Sequence, residues 1–251
     1  FQFNNAFYPD IDDTAMVLLA LRHVHLEEPN SQIREKSFLR GLNWLLSMQS
    51  VTGGFAAFDK ENTKAILEQI PFADHNAMID PPTADITARV LELLGYCGYD
   101  ASYPAAAKAI KFVKAEQEND GSWNGRWGVN YIYGTWQAVR GLVAIGERPD
   151  QPAIKRAVAW LKSVQLTSGG WGETCETYHD ASLKGKGPAT PTQTAWALMT
   201  LMASGDYTSD ALKRGVEHLL STQRPDGTWD ETEFTGTGFP KVYYLEYTMY
   251  R

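Results

Sequence analysis

One phrase recurs four times along the 251 residues, and a recurrence of this kind restricts the chain to repeat architectures before any single residue is weighed. It reads RGLNWLLSMQSVTGGF (40–55), KAIKFVKAEQENDGSW (108–123), RAVAWLKSVQLTSGGW (156–171) and RGVEHLLSTQRPDGTW (214–229). Each copy places a Gln six residues before an aromatic, with Gly ahead of that aromatic: Gln49/Phe55, Gln117/Trp123, Gln165/Trp171 and Gln223/Trp229. Before each Gln, apolar residues fall at helical spacing, as in Leu42, Leu45, Leu46 or Ile154, Val158, Leu161, with charges on the other face. These predict half-exposed helices, each ended by the Gly-containing break after its Gln.

A second kind of segment precedes each of these: DTAMVLLAL (13–21), DITARVLELLG (85–95), GTWQAVRGLVAIG (134–146) and TQTAWALMTLMA (192–203). These are apolar on nearly all sides, which requires burial. Thr14, Thr87, Thr135 and Thr194 near their starts precede the repeat glutamines by 35, 30, 30 and 29 residues. Pairs of one buried and one amphipathic helix stack into a solenoid or close into a double ring. The all-round apolarity of the buried set favours the ring, so the expected class is all-α, an α/α toroid of inner and outer helices. A fifth inner-type segment, GFPKVYYLEYTMYR (238–251), has no outer partner, so the ring is expected to be incomplete.

The stretch FYPDIDDTAM puts Asp10, Asp12 and Asp13 directly before the first inner helix. One Asp there is an ordinary cap. Three crowded carboxylates disfavour full ionisation, so at least one keeps its proton and the group titrates as a unit. On the residues alone, capping with two surface carboxylates remains the alternative to a proton-donating site. The helix dipole beginning near Thr14 would favour the anion left after donation.

A net charge of −7 without a Lys/Arg cluster argues against nucleic acid and against charge-driven binding to anionic lipid. Cys97 and Cys175 lack a partner pattern, which suggests neither a disulfide framework nor a zinc knuckle. Cys175, His179 and Asp180 read as an ordered surface loop rather than metal ligands, since no second His or Cys joins them. No run approaches ~18 consecutive apolar residues, so no transmembrane helix is expected. The chain opens on Phe1 without a basic and apolar leader, as a piece of something longer would.

Together, the Gln-to-Trp phrase, the Asp-x-Asp-Asp-Thr-Ala box at 10–15, the segment GRWGVNYIYGT (125–135) and the ending GTGFPKVYYLEYTMYR resemble the squalene–hopene cyclases, class II triterpene cyclases, over essentially the whole chain. The resemblance implies a C-terminal catalytic domain spanning 1–251, with a second barrel and about one helix pair lying outside it. It implies protonation of a terminal alkene of squalene or a similar linear isoprenoid, with no metal or organic cofactor. Asp12 takes the donor role by the same resemblance, supported by Asp10 and Asp13. Asp85 matches a family position, and Arg89 stands where the hopene cyclases carry a His. An Arg cannot relay a proton but can stabilise a carboxylate; pairing of Arg89 with Asp85 as a structural bridge is the alternative.

A cation moving along a hydrocarbon would be trapped by lone pairs, whereas ring faces attract it without reacting, each worth ~0.5–2 kcal/mol. Aromatic residues make up 12% of the chain, and the resemblance assigns this lining to Phe1, Phe58, Trp127, Phe239, Tyr243, Tyr247 and Tyr250, with Tyr133 near the donor. Phe58 stands where relatives have Tyr and Tyr243 where they have Phe. The four repeat aromatics are expected to pack on their glutamines as structure. The segment 62–82, with Ile66, Leu67, Ile70 and Phe72, matches the family's membrane-facing substrate entrance, or else is an ordinary insertion packing on its own domain. The resemblance therefore implies a hydrophobic isoprenoid partner, peripheral membrane contact on the cytoplasmic side and a homodimer as expectations. A protein prenyltransferase subunit would need a zinc set that the sequence does not offer, and a diterpene cyclase would need a basic grip on diphosphate. A folded barrel without activity of its own is the remaining alternative.

Overall fold

The computed structural model describes residues 9–64, 66–67 and 78–247. Eight α-helices alternate in kind along it. The inner set is α1 (Ile11–His23), α3 (Ala84–Tyr96), α5 (Tyr131–Ala144) and α7 (Pro191–Ala203). The outer set is α2 (Asn30–Ser47), α4 (Pro104–Ala115), α6 (Pro152–Ser163) and α8 (Asp210–Thr222). Each inner helix packs on the next inner helix in chain order and on the outer helix that follows it, which is the double layer expected from the sequence. In α4 the buried residues are Ala106, Ala109, Ile110 and Val113, a single stripe, whereas α5 is buried on every face from Tyr131 to Val139. Inner helices approach closely through glycine: a methyl at Gly141 would meet the Ala88 carbonyl, and one at Gly95 the Ala144 carbonyl. Pro104, Pro152 and Pro191 open their helices, where a missing N–H costs nothing.

The repeated phrase is a hydrogen-bonding joint. The outer helix stops before the Gln, not at the Gly after it, and the Gly four residues on takes a positive φ, 93° at Gly53 and 92° at Gly169. That reversal turns the Gly carbonyl toward the Gln amide. Gln165 Nε2 donates to Gly169 O at 2.7 Å and to Ala211 O, at the start of the next outer helix, at 2.8 Å. Gln49 and Gln117 do the same with Gly53 and Ala105 and with Gly121 and Ala153. The repeat Trp also works through its polar atom, with Trp123 and Trp171 Nε1 donating to Val113 O and Leu161 O. Thr87, Thr135 and Thr194 on the inner helices accept the backbone N–H of Phe55, Trp123 and Trp171, tying the two layers together. Since each net hydrogen bond is worth about 0.5–1.5 kcal/mol, Gln165→Ala should lower stability by roughly 1–3 kcal/mol, measured by urea unfolding at unchanged m-value.

The segment after residue 235 departs from expectation. Through residue 247 it forms a hairpin, β1 (Gly236–Phe239) and β2 (Tyr243–Leu245), not a fifth inner helix. Pro240 cannot continue a helix, and Gly236 and Gly238 weaken one. Those two glycines leave room for rings across the strands: a methyl at Gly238 would strike Tyr243, and one at Gly236 would strike Tyr247. A bridge from Gly236 to Gly128, and a bond from Val129 N to Thr235 O at 2.9 Å, dock the hairpin beside the loop that carries Trp127.

Candidate active site

The first turn of α1 sets the carboxylates. Asp10 is the N-cap and accepts the Asp13 N–H at 2.8 Å, so one of the three Asp residues does perform capping. Ile11, wholly buried, donates its N–H to Ala57 O at 2.8 Å and fixes the start of the helix against the segment after Phe55. Asp10, Asp12 and Asp13 then border a cavity of about 180 Å³, whose other walls include Arg89, Trp127, Tyr133, Trp136, Trp196 and Tyr247. Thr237 of β1 and Thr235, just before that strand, line it as well.

Arg89 settles its partner. Its Nε donates to Asp12 Oδ1 at 2.9 Å, so the structural bridge to Asp85 considered from sequence does not form. The Arg89 side chain is 11% exposed and that of Asp12 30%. Burial works against the guanidinium's charge, Asp12, Tyr133 and Glu92 together more than offset it, and the Arg89 pKa is displaced upward. Tyr133 is moved above the usual phenol value, chiefly by burial and then by the charges of Asp85 and Asp12, which leaves a neutral hydroxyl at the cavity wall.

Asp85 is buried behind that wall. Its Oδ2 accepts the N–H groups of Arg126 at 2.8 Å and Trp127 at 3.0 Å, and its Oδ1 accepts that of Ile86 at 3.0 Å. Burial raises its pKa while these bonds pull it down. Its visible work is to hold the loop that presents Trp127. Phe58 and Phe239 brace the Trp127 ring with centroids 6.0 Å away on each count, and the three line a second cavity of about 430 Å³. Tyr243 touches Phe239 at 5.9 Å but is 48% exposed. Phe1, Tyr250, Ile70 and Phe72 lie outside the described residues. Ile66 is exposed, and Leu67 is half-buried.

Trp136 and Trp196 went unremarked in the sequence. They stack at 5.6 Å with 10° between ring planes, and Tyr133 meets both at 5.8 and 5.1 Å. The spacing of Tyr133 and Trp136, one turn apart on an inner helix, was the available signal. Among the described residues no group of three His, Cys, Asp or Glu side chains is arranged to hold a metal ion.

Asp10 is raised from the usual 3.8 to about 6, by burial first, with the charges of Asp13 and Asp12 adding to it. Asp13 is raised by burial and then by Asp12. Asp10 is therefore made a weaker acid mainly because water is excluded, with crowding second. A carboxyl raised in the folded state contributes stability that is complete below pH 3.8 and lost as pH rises through 6. The full linkage of about 3 kcal/mol, discounted to about 1–2 kcal/mol for partial exposure, should appear as a gain on Asp10→Asn at pH 8 that disappears at pH 4. Urea unfolding of both proteins across that range measures it.

All of residues 1–251 match the family model described as the squalene-hopene cyclase C-terminal domain. The chain belongs to the squalene–hopene cyclase family. It is 49% identical to squalene–hopene cyclase of Alicyclobacillus acidocaldarius, over 100% of this chain and 40% of that protein. It is 44% identical to dammaradiene synthase of Dryopteris crassirhizoma over 100% of this chain and 40% of that protein. The chain thus spans about 40% of the length of the curated relatives it matches. In fold it is similar to the type II terpene cyclase MstE from Scytonema, with a TM-score of 0.64 at 22% identity over 96% of this chain and 63% of that one.

Proposed function

We propose that the protein carrying this domain is a class II terpene cyclase that protonates a terminal alkene of squalene, or of a similar linear isoprenoid, and guides the cationic closure of its rings. The observation that carries this reading is Asp12, fixed through one oxygen by Arg89, on a cavity whose remaining walls are largely aromatic. In the step proposed, the Asp12 O–H bond breaks, its hydrogen forms a C–H bond at one alkene carbon, and the tertiary cation appears at the other. The next double bond attacks that cation, and closure repeats until a proton is lost or water adds. Arg89 stabilises the carboxylate left behind, since its charge cannot be lost near neutral pH. Trp127, Phe58 and Phe239 offer ring faces to the migrating charge.

The names of the relatives support the substrate class, and a variant of MstE has been solved with geranylgeranyl dihydroxybenzoate as substrate. Collection of so insoluble a substrate from a lipid surface belongs to the same proposal, supported by Ile66, which stands 70% exposed. No helix among the described residues is long and apolar enough to cross a membrane. The test is incubation of the intact protein with detergent-dispersed squalene in D2O. Cyclic product carrying one deuterium on a methylene carbon of the first ring, the former alkene CH, is the expected result, and recovery of squalene alone would end the proposal.

One observation favours a narrower role for the chain on its own. A cavity of about 180 Å³ is below the ~300–1,000 Å³ of ordinary ligand pockets. In this narrower reading the chain supplies the donor end of the site, and the cavity of about 430 Å³ across Trp127 adds to the room that a C30 substrate needs.

A further inference from the structure

Trp136 lies among charges. The guanidinium carbon of Arg89 is 5.8 Å from its ring centroid and that of Arg140 is 5.9 Å from it. Arg140 is in turn held by the buried Glu92 at 2.7 Å, and Trp196 stacks on the Trp136 ring. Arg89 itself has a single bond to Asp12, through Nε, and a contact from Nη1 to Met16 Sδ at 3.1 Å. One bond to a partly exposed carboxylate does not fix a side chain with as many rotamers as arginine. A ring face that is itself immobile does, because it restricts the guanidinium plane without competing for its donors.

We propose that Trp136 is a positioning residue that acts through Arg89: its ring, anchored by Trp196 and by the Arg140–Glu92 pair, keeps the guanidinium where Nε reaches Asp12. Trp136 borders the cavity with the other aromatic residues, and the two arginines over its ring are each held in an ion pair, Arg89 with Asp12 and Arg140 with Glu92. This rests on the reading of Asp12 as the acid, since the charge being positioned is the one beside it.

A thermal double-mutant cycle on the full chain with Trp136→Leu, Arg89→Gln and both together tests the coupling. If Trp136 holds Arg89, the Tm loss of the double variant falls short of the sum of the single losses by roughly 2–6 °C. Additive losses would overturn the proposal. Trp136→Met keeps more of the volume but has no ring face, so it provides the same cycle if the Leu variant does not fold. In the squalene assay, Trp136→Leu should reduce kcat roughly ten- to hundredfold at little change in KM, with Trp136→Phe recovering most of the loss. The same substitution should do nothing further in an Arg89→Gln background. A raised KM at unchanged kcat would make Trp136 a substrate wall and also overturn it. Absence of turnover in the unaltered protein would defeat the cyclase reading alone, and the thermal cycle would still decide this one.

Discussion

Asp12→Asn is expected to lower turnover of squalene by roughly 10²–10⁴-fold while the protein stays folded, because a general acid contributes about that factor and an amide cannot supply the proton. Asn has the same shape and keeps an oxygen that can accept the Arg89 Nε–H, so the cavity should survive the change. What disappears is the acidic hydrogen together with the anion that Arg89 is placed to stabilise. The cost to stability should be about 1 kcal/mol, because Asp12 is partly exposed and the pair it breaks is partly screened. Product analysis beside circular dichroism separates the two effects. Asp10→Asn and Asp13→Asn should be milder, since neither carboxylate is bonded to Arg89. Retention of full activity by Asp12→Asn would sink the assignment of the acid.

Asp85→Ala should be the most damaging of the substitutions to the fold of the site. The carboxylate accepts three backbone N–H groups and is almost wholly buried. Alanine leaves those donors without an acceptor in a place water does not fill, at about 1–3 kcal/mol for each that stays unpaired. Some relaxation of the loop is expected, so a loss of roughly 3–5 kcal/mol is predicted from guanidinium unfolding. Turnover should fall as well, because the Arg126 and Trp127 amides are what Asp85 holds and Trp127 divides the two cavities. Asp85→Asn keeps only one acceptor oxygen and turns an N–H group toward donors, so it should fall between alanine and the native residue. A neutral effect of alanine would mean that the loop is held by the hairpin instead.

Several elements were legible before any coordinates. The four inner and four outer helices follow from apolar spacing, and the Gln-to-Gly interval marks each joint because the bonds it makes span only four residues. The Thr residues near the inner helix starts were visible as a regularity, although their partners across the layers were not. The final segment misled: its apolar and aromatic content resembled an inner helix, while Pro240 and the alternating glycines carried the opposite signal and prevailed. The repeat glutamines and tryptophans were legible as structural residues, although the backbone carbonyls that their N–H groups reach were not.

By itself the sequence determined the class of fold, the order of its layers and the concentration of carboxylates at the start of α1, because helical periodicity, glycine turns and capping act over a few residues. Only the tertiary structure decided that Arg89 faces Asp12 across 77 positions, that Asp85 holds the Trp127 loop, and that the Asp10 carboxyl is raised mainly through burial. Ion pairing and the exclusion of water depend on distances in space, and a linear order of residues does not contain them.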